Sequence, residues 1–366
     1  MFMKSYIIKT IEVYTSESGC PMEDNKNSPI NIYDIAQMAK VSIATVSRVV
    51  NGSDKVSPAT RRKVEKIIAE VGYTPNAFAK GLGLNTMHTV GIMVPSMADD
   101  FMARAVNDLE QELGKYGYDC LLNCSGFSKE NKKKQLEVLL FKHVDALILV
   151  GSTYAGRGEG ADETEYIREA AQKVPVFVIN GNVKGDNVYV TVCDDHSAVK
   201  DVTLRLLKSG KKNILFLTDS RSYSANKKRS GYEEAFAEAG MPLREAMEVF
   251  VKNDIREVRE YLKRVRPEFD AAVATEDMIA IGVMKYANDI GLKVPENLPV
   301  VGYNNSRMAL ACEPELSSID NGLREMCLST VKRLMNLLEE NGSGKAEKKV
   351  VIPCALVERG STAFEK

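Results

Sequence analysis

The sequence has no tryptophan, only three histidines in 366 residues, and no apolar run long enough to span a membrane. His88, His143 and His196 are too far apart to suggest a metal site or a catalytic triad, and no G-x-S-x-G nucleophile motif occurs. Gly342-Ser343-Gly344-Lys345 lacks the spacing and the Ser/Thr of a phosphate-binding loop. Lys132–Lys134 reads as a solvated helix face. An enzyme is therefore not expected, and neither is a cofactor or a metal. The seven cysteines (20, 120, 124, 193, 312, 327, 354) are odd in number and scattered, and Cys120 and Cys124 have no second pair to complete a metal site. Reduced thiols in a cytoplasmic protein are the economical reading. In the opening MFMKSYIIKTIEVYT charges interrupt the apolar residues, which argues against a signal peptide. Residues 1–30 are expected to be a disordered tail, or the product of an upstream start with Met22 as the natural one.

Net charge is −1, so no global basicity points to nucleic acid. Its distribution is uneven. From Asn31 to Asn85 eight cations face four acids, which leaves that stretch at +4 and the rest at −5. Within it, NIYDIAQMAKVSIATVSRVVN spells two short amphipathic helices around a tight turn. Ile32, Ile35, Ala36 and Ala39 share one stripe behind a capping Asn31, and Val46, Val49 and Val50 share another behind a capping Ser42. The second helix turns Ile43, Ala44, Ser47, Arg48 and Asn51 outward, with no carboxylate among them. Such a face fits the DNA major groove, with Arg48 able to reach a guanine edge. A three-helix structural module is the bland alternative. Ser57-Pro58 then starts a third helix, whose stripe Val64, Ile67, Ile68, Val71 ends at Gly72.

With IYDIAQMAKVSIATVSRVVNG, VSPATRRKVEKII and GYTPNAFAKGL in place, the stretch resembles the DNA-binding headpiece of the LacI/GalR (lactose-repressor) family over about fifty positions, and most of all its catabolite control protein branch. The resemblance implies a dimeric, cytoplasmic regulator on a pseudo-palindromic operator. Arg48 would read a base, Ile43 and Ala44 would touch groove edges, and Tyr33, Thr45, Ser47 and Asn51 would serve mainly phosphates. Asn76-Ala77-Phe78-Ala79-Lys80-Gly81-Leu82 is too short and glycine-rich to be a stable helix alone. In the family this is the hinge helix, which pairs with its copy in the minor groove; Asn76, Ala79 and Lys80 would contact DNA, and Leu82 would wedge into a base step. A flexible linker is the alternative. The expected divisions are a headpiece at 31–74, a hinge and linker at 75–88, and a core at 89–366.

From Thr89 onward, apolar strands alternate with amphipathic helices, starting with the strand Val90–Pro95 and the helix Phe101–Tyr116. The rhythm begins again at Asn213–Asp219, and its second set includes a helix at Lys228–Ala239, the strand Ala271–Glu276 and the helix Met278–Ile290. The expected fold class is an all-α helix-turn-helix headpiece plus an α/β core of two doubly wound parallel-sheet lobes. This core is similar to periplasmic sugar-binding proteins. Lobe 1 is expected near 89–195 plus 322–340, and lobe 2 near 210–318 plus part of the C-terminus. By the family's pattern, Gly322–Glu340 (helical) and Val350–Arg359 (strand-like) return to the first lobe. No leucine heptad follows Arg359, so a dimer rather than a tetramer is expected.

Two such lobes place a ligand at the C-terminal ends of their strands. The effector-binding candidates are Ser96, Asp99, Phe101, Asn180, Lys228, Arg229, Asp277 and Asn304. Asp277, in ATEDMIAIG, occupies the position of the family's effector-contacting aspartate, and a helix N-cap role is the other reading. Where the family has a clamping arginine three residues before the glycine of R-x-x-G, this chain has Lys228, followed by Arg229. Where it has G-[YF]-D-[DN], this chain has Gly302-Tyr303-Asn304-Asn305. The expected function is a LacI-type repressor controlled by a sugar or related small metabolite. In the catabolite control branch the co-repressor is instead a phosphorylated carrier protein, and Arg307 would then face its phosphate. A solute-binding protein and a sugar kinase on the same two-lobed fold are the rivals from other classes.

Overall fold

The computed structural model describes residues 30–50, 52–73, 86–156, 162–244, 247–339 and 346–364. The chain divides into two units, residues 1–83 and 84–366. In the first, helices α1 (Ile32–Ala39), α2 (Ile43–Val50) and α3 (Pro58–Val71) close on a small core of Ile35, Ala36, Ala39, Val46, Val49 and Val64. Eight-residue helices depend on such packing, because nucleation is costly and few hydrogen bonds follow it. The caps do the local work. Asn31 accepts from Tyr33 N at 2.8 Å, and Asp34 reaches back to Asn31 N at 2.8 Å, completing a capping box. Ser42 Oγ accepts from Thr45 N, and Ser57 Oγ from Thr60 N, each at 3.2 Å.

The second unit holds two six-stranded sheets. The first sheet comprises β1 (Thr89–Val94), β2 (Asp119–Cys124), β3 (Ala146–Val150), β4 (Val176–Ile179), β5 (Val188–Cys193) and β11 (Lys349–Ile352). Its order is β11-β5-β4-β3-β1-β2 and it is parallel throughout. The helices that follow β1, β2 and β3 are α4 (Asp100–Gly114), α5 (Lys129–Phe141) and α6 (Glu165–Ala171). Helix α12 (Leu323–Glu339) returns to pack on this lobe through Met326, Cys327, Val331 and Leu334.

The second sheet is ordered β12-β10-β9-β8-β6-β7. Its strands are β6 (Ile214–Thr218), β7 (Glu248–Phe250), β8 (Ala271–Ala274), β9 (Val300–Tyr303), β10 (Ser317–Asp320) and β12 (Ala355–Val357). Its helices are α7 (Asp195–Lys208), α8 (Tyr223–Glu238), α9 (Ile255–Val265), α10 (Asp277–Asp289) and the short α11 (Arg307–Leu310). Helices α7 and α8 meet at Gly231, where a Cβ would stand 2.2 Å from the backbone oxygen of His196.

Four features differ from the sequence reading. Lobe 2 begins at α7 rather than near 210, because Val199, Val202 and Leu206 pack in its core. Helix α8 starts five residues before Lys228, since Ser222 Oγ accepts from Ala225 N and caps it within what reads as loop. Strand β10 carries no apolar run in its polar SSID and so no strand signal in the sequence; Ser317 and Ser318 are buried with their hydroxyls bonded to Thr362 and Asp277. The segment 350–359 is two strands, not one: Pro353 breaks it, leaving β11 in lobe 1 and β12 antiparallel to β10 in lobe 2. The chain thus crosses between lobes after β5, after β10 and after β11, all on one side of the two sheets.

Candidate functional site

On the headpiece, burying Val46 and Val49, with Val50 packed beside them, turns Ile43, Ala44 and Arg48 outward. Ile43 is 42% exposed, and Ala44 and Arg48 are exposed beside it. Thr45 and Ser47 are half-buried, and Thr45 Oγ1 is tied to Ser42 Oγ at 2.9 Å. Tyr33 on α1 is 65% exposed. An apolar, hydroxyl-bearing and singly cationic face without a carboxylate is what the edge of a base pair and its phosphates can meet. Asn51, Asn76, Ala79, Lys80 and Leu82 lie outside the described residues.

Between the lobes, the polar groups divide into a deep cluster near the crossings and a wider cavity near the edge strands. Lys228, only 4% exposed, is the centre of the cluster. Its Nζ donates to Thr275 O at 3.1 Å and lies 3.5 Å from the Tyr303 ring centroid. Asp99 from lobe 1 and Asp219 and Glu276 from lobe 2 share its field. Burial pushes all three carboxyls up from their usual range, Glu276 furthest, and the ammonium offsets only part of this. Asn304 donates to Glu276 Oε2 at 2.5 Å, accepts from Asn321 Nδ2 at 2.7 Å, and through its backbone oxygen accepts from Arg104 Nη1 of lobe 1 at 3.2 Å. Ser96 caps its own loop through Ala98 N, and Asn180 ends β4 in a left-handed conformation with Cys193 Sγ 3.7 Å from its Oδ1.

Three of the expected ligand contacts are placed elsewhere. Phe101 is 6% exposed and packs in the lobe 1 core, because it shares the inward stripe of α4 with Ala105, Leu109 and Leu113. Arg229 is one residue, hence about 100° of helix, away from Lys228. It faces outward to Glu233 at 3.0 Å and Glu248 at 2.9 Å. Asp277 is 3% exposed and spends both oxygens inside lobe 2, accepting from Ser306 N at 2.7 Å and Ser318 Oγ at 2.6 Å. Its neighbour Glu276 takes the cleft position.

The cavity holds about 700 Å³. Phe127, Lys129, Lys132, Thr153, Glu163 and Tyr166 line it from lobe 1, and Ser220, Arg221, Ser222 and Phe250 from lobe 2. These residues lie at the end of or after β2, β3, β6 and β7, so the cavity opens at strand C-termini, toward the edge strands. Phe127 and Phe250 are 70% and 58% exposed, one on each lobe. Ser152 Oγ donates to Ser222 Oγ at 2.8 Å, and Tyr223 N to Gly156 O at 3.1 Å, bridging the lobes along its inner wall. Lys132 is not on a solvated face: it is 7% exposed, its Nζ donates to Thr153 O at 2.7 Å, and it lies 5.2 Å from the Tyr154 ring centroid. Among the described residues no group of His, Cys, Asp and Glu is placed to hold a metal, and no helix is long and apolar enough to cross a membrane.

Comparison with known proteins places both units. Residues 31–76 match the model for bacterial regulatory proteins of the lacI family, and residues 203–362 match a periplasmic binding protein-like domain. An HTH-type transcriptional regulator of Lachnoclostridium phytofermentans is 44% identical over 338 residues, covering 92% of this chain and 100% of that one. The chain belongs to the LacI family. It is accordingly a DNA-binding transcriptional regulator with a helix-turn-helix headpiece. Catabolite control protein A of Priestia megaterium is 33% identical over 299 residues, covering 79% of this chain and 87% of that one. Among solved structures, the transcriptional regulator CelR in complex with cellobiose superposes with a TM-score of 0.65 at 26% identity, covering 91% of this chain and 100% of that one. The lac repressor dimer bound to operator and the anti-inducer ONPF has the same fold, with a TM-score of 0.79 at 23% identity, covering 91% of this chain and 99% of that one.

Proposed function

We propose that this LacI-family regulator is a cytoplasmic, dimeric repressor whose hold on a pseudo-palindromic operator is set by a small metabolite bound between its lobes, and that it has no enzymatic activity. The observation that carries the ligand is the 700 Å³ cavity at the strand ends of both lobes. Its exposed Phe127 and Phe250 offer apolar faces to a sugar ring, and Ser220, Ser222 and Thr153 offer hydroxyls. Lys129, Lys132 and Arg221 against Glu163 favour an anionic group on that ligand. CelR was solved with cellobiose, a polyhydroxylated ligand of the expected class. On DNA, Arg48 reads a base, Ile43 and Ala44 meet groove edges, and Tyr33, Thr45, Ser47 and Asn51 hold phosphates. Asn76, Ala79, Lys80 and Leu82 form the minor-groove hinge. For the dimer, edge strand β2 and helix α5 leave Leu121, Leu122, Val138 and Phe141 exposed, Phe141 by 80%.

Thermal-shift titration with mono- and disaccharides and their phosphates tests the ligand. A binder raises the midpoint in the natural protein and not in Phe250→Ala; a flat response across the panel would contradict the small-molecule reading. That outcome would favour the second reading, a phosphorylated carrier protein as co-repressor. The observation behind it is α11, where Arg307 is exposed beside Met308 and Leu310, 42% and 56% exposed. This places a cation within an apolar surface patch.

A further inference from the structure

Two of the three crossings between the lobes carry a cysteine. Cys193 is the last residue of β5, and Cys354 sits between β11 and β12. The crossings run side by side: β5 and β11 pair with Cys193 opposite Ile352, and Asp194 N donates to Ile352 O at 3.0 Å. The two sulfurs then converge on one buried acid–phenol pair. Cys193 Sγ lies 3.4 Å from Asp195 Oδ1, Tyr303 OH donates to that same oxygen at 2.5 Å, and Cys354 Sγ is 3.5 Å from Tyr303 OH. The two thiols shift each other's titration, and neither is in a disulfide.

We propose that Cys193 and Cys354 are a modification site for hydroperoxides, closing to a reversible disulfide that staples the two crossings together. Their environments assign the roles. The neighbouring Cys193 thiol and the Tyr303 hydroxyl lower the Cys354 thiol against burial and the Asp195 charge, while Cys354 and burial push Cys193 up. Cys354 is also the more accessible of the two. Its thiolate attacks one oxygen of hydrogen peroxide; the O–O bond breaks, hydroxide leaves and is protonated to water, and Cys354 becomes a sulfenic acid. The Cys193 sulfur then attacks the Cys354 sulfur. The S–S bond forms, the S–O bond breaks, and the hydroxyl leaves with the Cys193 proton as a second water. Two thiols and one peroxide thus give one disulfide and two waters, each sulfur losing one electron to the peroxide. A dithiol reductant reverses the step. Because the staple joins segments that both run from lobe 1 to lobe 2, it restricts the rotation of one lobe against the other.

The test is peptide mapping of the reduced full-length protein after stoichiometric hydrogen peroxide and alkylation, without a reducing step. The expected result is a linked Cys193–Cys354 peptide and two thiols lost per chain. The thermal midpoint should rise and return on dithiothreitol, as for a cross-link closing a long loop. Cys193→Ser should leave Cys354 as a sulfenic acid that dimedone traps. The proposal is overturned if Cys193 and Cys354 both remain alkylatable while the exposed Cys124 oxidises, or if Cys354 passes to sulfinic acid with no linked peptide. The mapping of the natural protein decides this without any variant having to fold.

Discussion

The ammonium of Lys228 stands 3.5 Å over the Tyr303 ring, set among the buried carboxyls of Asp99, Asp219 and Glu276 in the inner cleft. Removing one partner of a buried charge cluster leaves the others uncompensated. Lys228→Met is therefore expected to cost about 3–5 kcal/mol at pH 7. The deficit should shrink on acidification, as the three carboxyls take up protons. Urea unfolding at pH 7 and pH 5 measures both; a deficit independent of pH would contradict the electrostatic role.

Glu276 supplies the opposite sign. Burial raises its carboxyl well above the ordinary range, so the native state holds a proton over a pH window where the unfolded chain has already lost it. Stability from this group is therefore full below the unfolded value of about 4 and is lost as pH rises toward the folded value. Glu276→Gln keeps an acceptor for Asn304 Nδ2 without the charge. Its midpoint should exceed that of the natural protein at pH 7 and converge with it near pH 4, read from melting curves across that range.

Helices α7 and α8 approach through Gly231, where an added Cβ would meet the His196 backbone oxygen at 2.2 Å. Backbone cannot step aside as a flexible side chain can. Gly231→Ala should destabilise the core by about 1–3 kcal/mol, the usual range for overpacking. Denaturant midpoints at unchanged m-value would show it, and an unchanged midpoint would mean that the helices separate freely.

In the headpiece, Ser57 Oγ caps α3 through Thr60 N at 3.2 Å. Ser57→Ala should cost about 0.5–2 kcal/mol. Faster hydrogen exchange in the first turn of α3 than in the natural protein is the corresponding readout, with exchange in lobe 2 unchanged.

Much of this arrangement is legible in the sequence because apolar runs and caps are local signals. Asn31, Ser42 and Ser57 announce three helices, and the runs at Val90 and Ile214 announce buried strands. Asn304 directly follows β9 and Lys228 stands in the second turn of α8, and both lie in the inner cleft. Rotation about each helix is not written in strand-end position. That position cannot separate Lys228 from Arg229, or Glu276 from Asp277, since neighbours in sequence point to different surroundings. Phe101 obeyed the helical stripe and went to the core. Asp219 closes an apolar strand and was open to the same strand-end rule as Asn304. Phe127, Arg221 and Phe250 carry no local sign, because only the approach of the two lobes makes them a wall. Lys132 is buried against Thr153 and Tyr154 of its own lobe, within a run of three lysines that reads as solvent-facing.

In the proposed function, α2 reads DNA sequence through Arg48. Arg48 is exposed, so Arg48→Ala should leave the fold intact. Fluorescence anisotropy on a duplex selected from genomic fragments, against a scrambled duplex at the same salt, tests the claim directly. The natural protein should prefer the selected duplex by about 10³-fold or more. Arg48→Ala should lose about 1–3 kcal/mol of that discrimination while keeping weak, salt-sensitive binding to both. No preference in the natural protein, or one that survives Arg48→Ala undiminished, would contradict it.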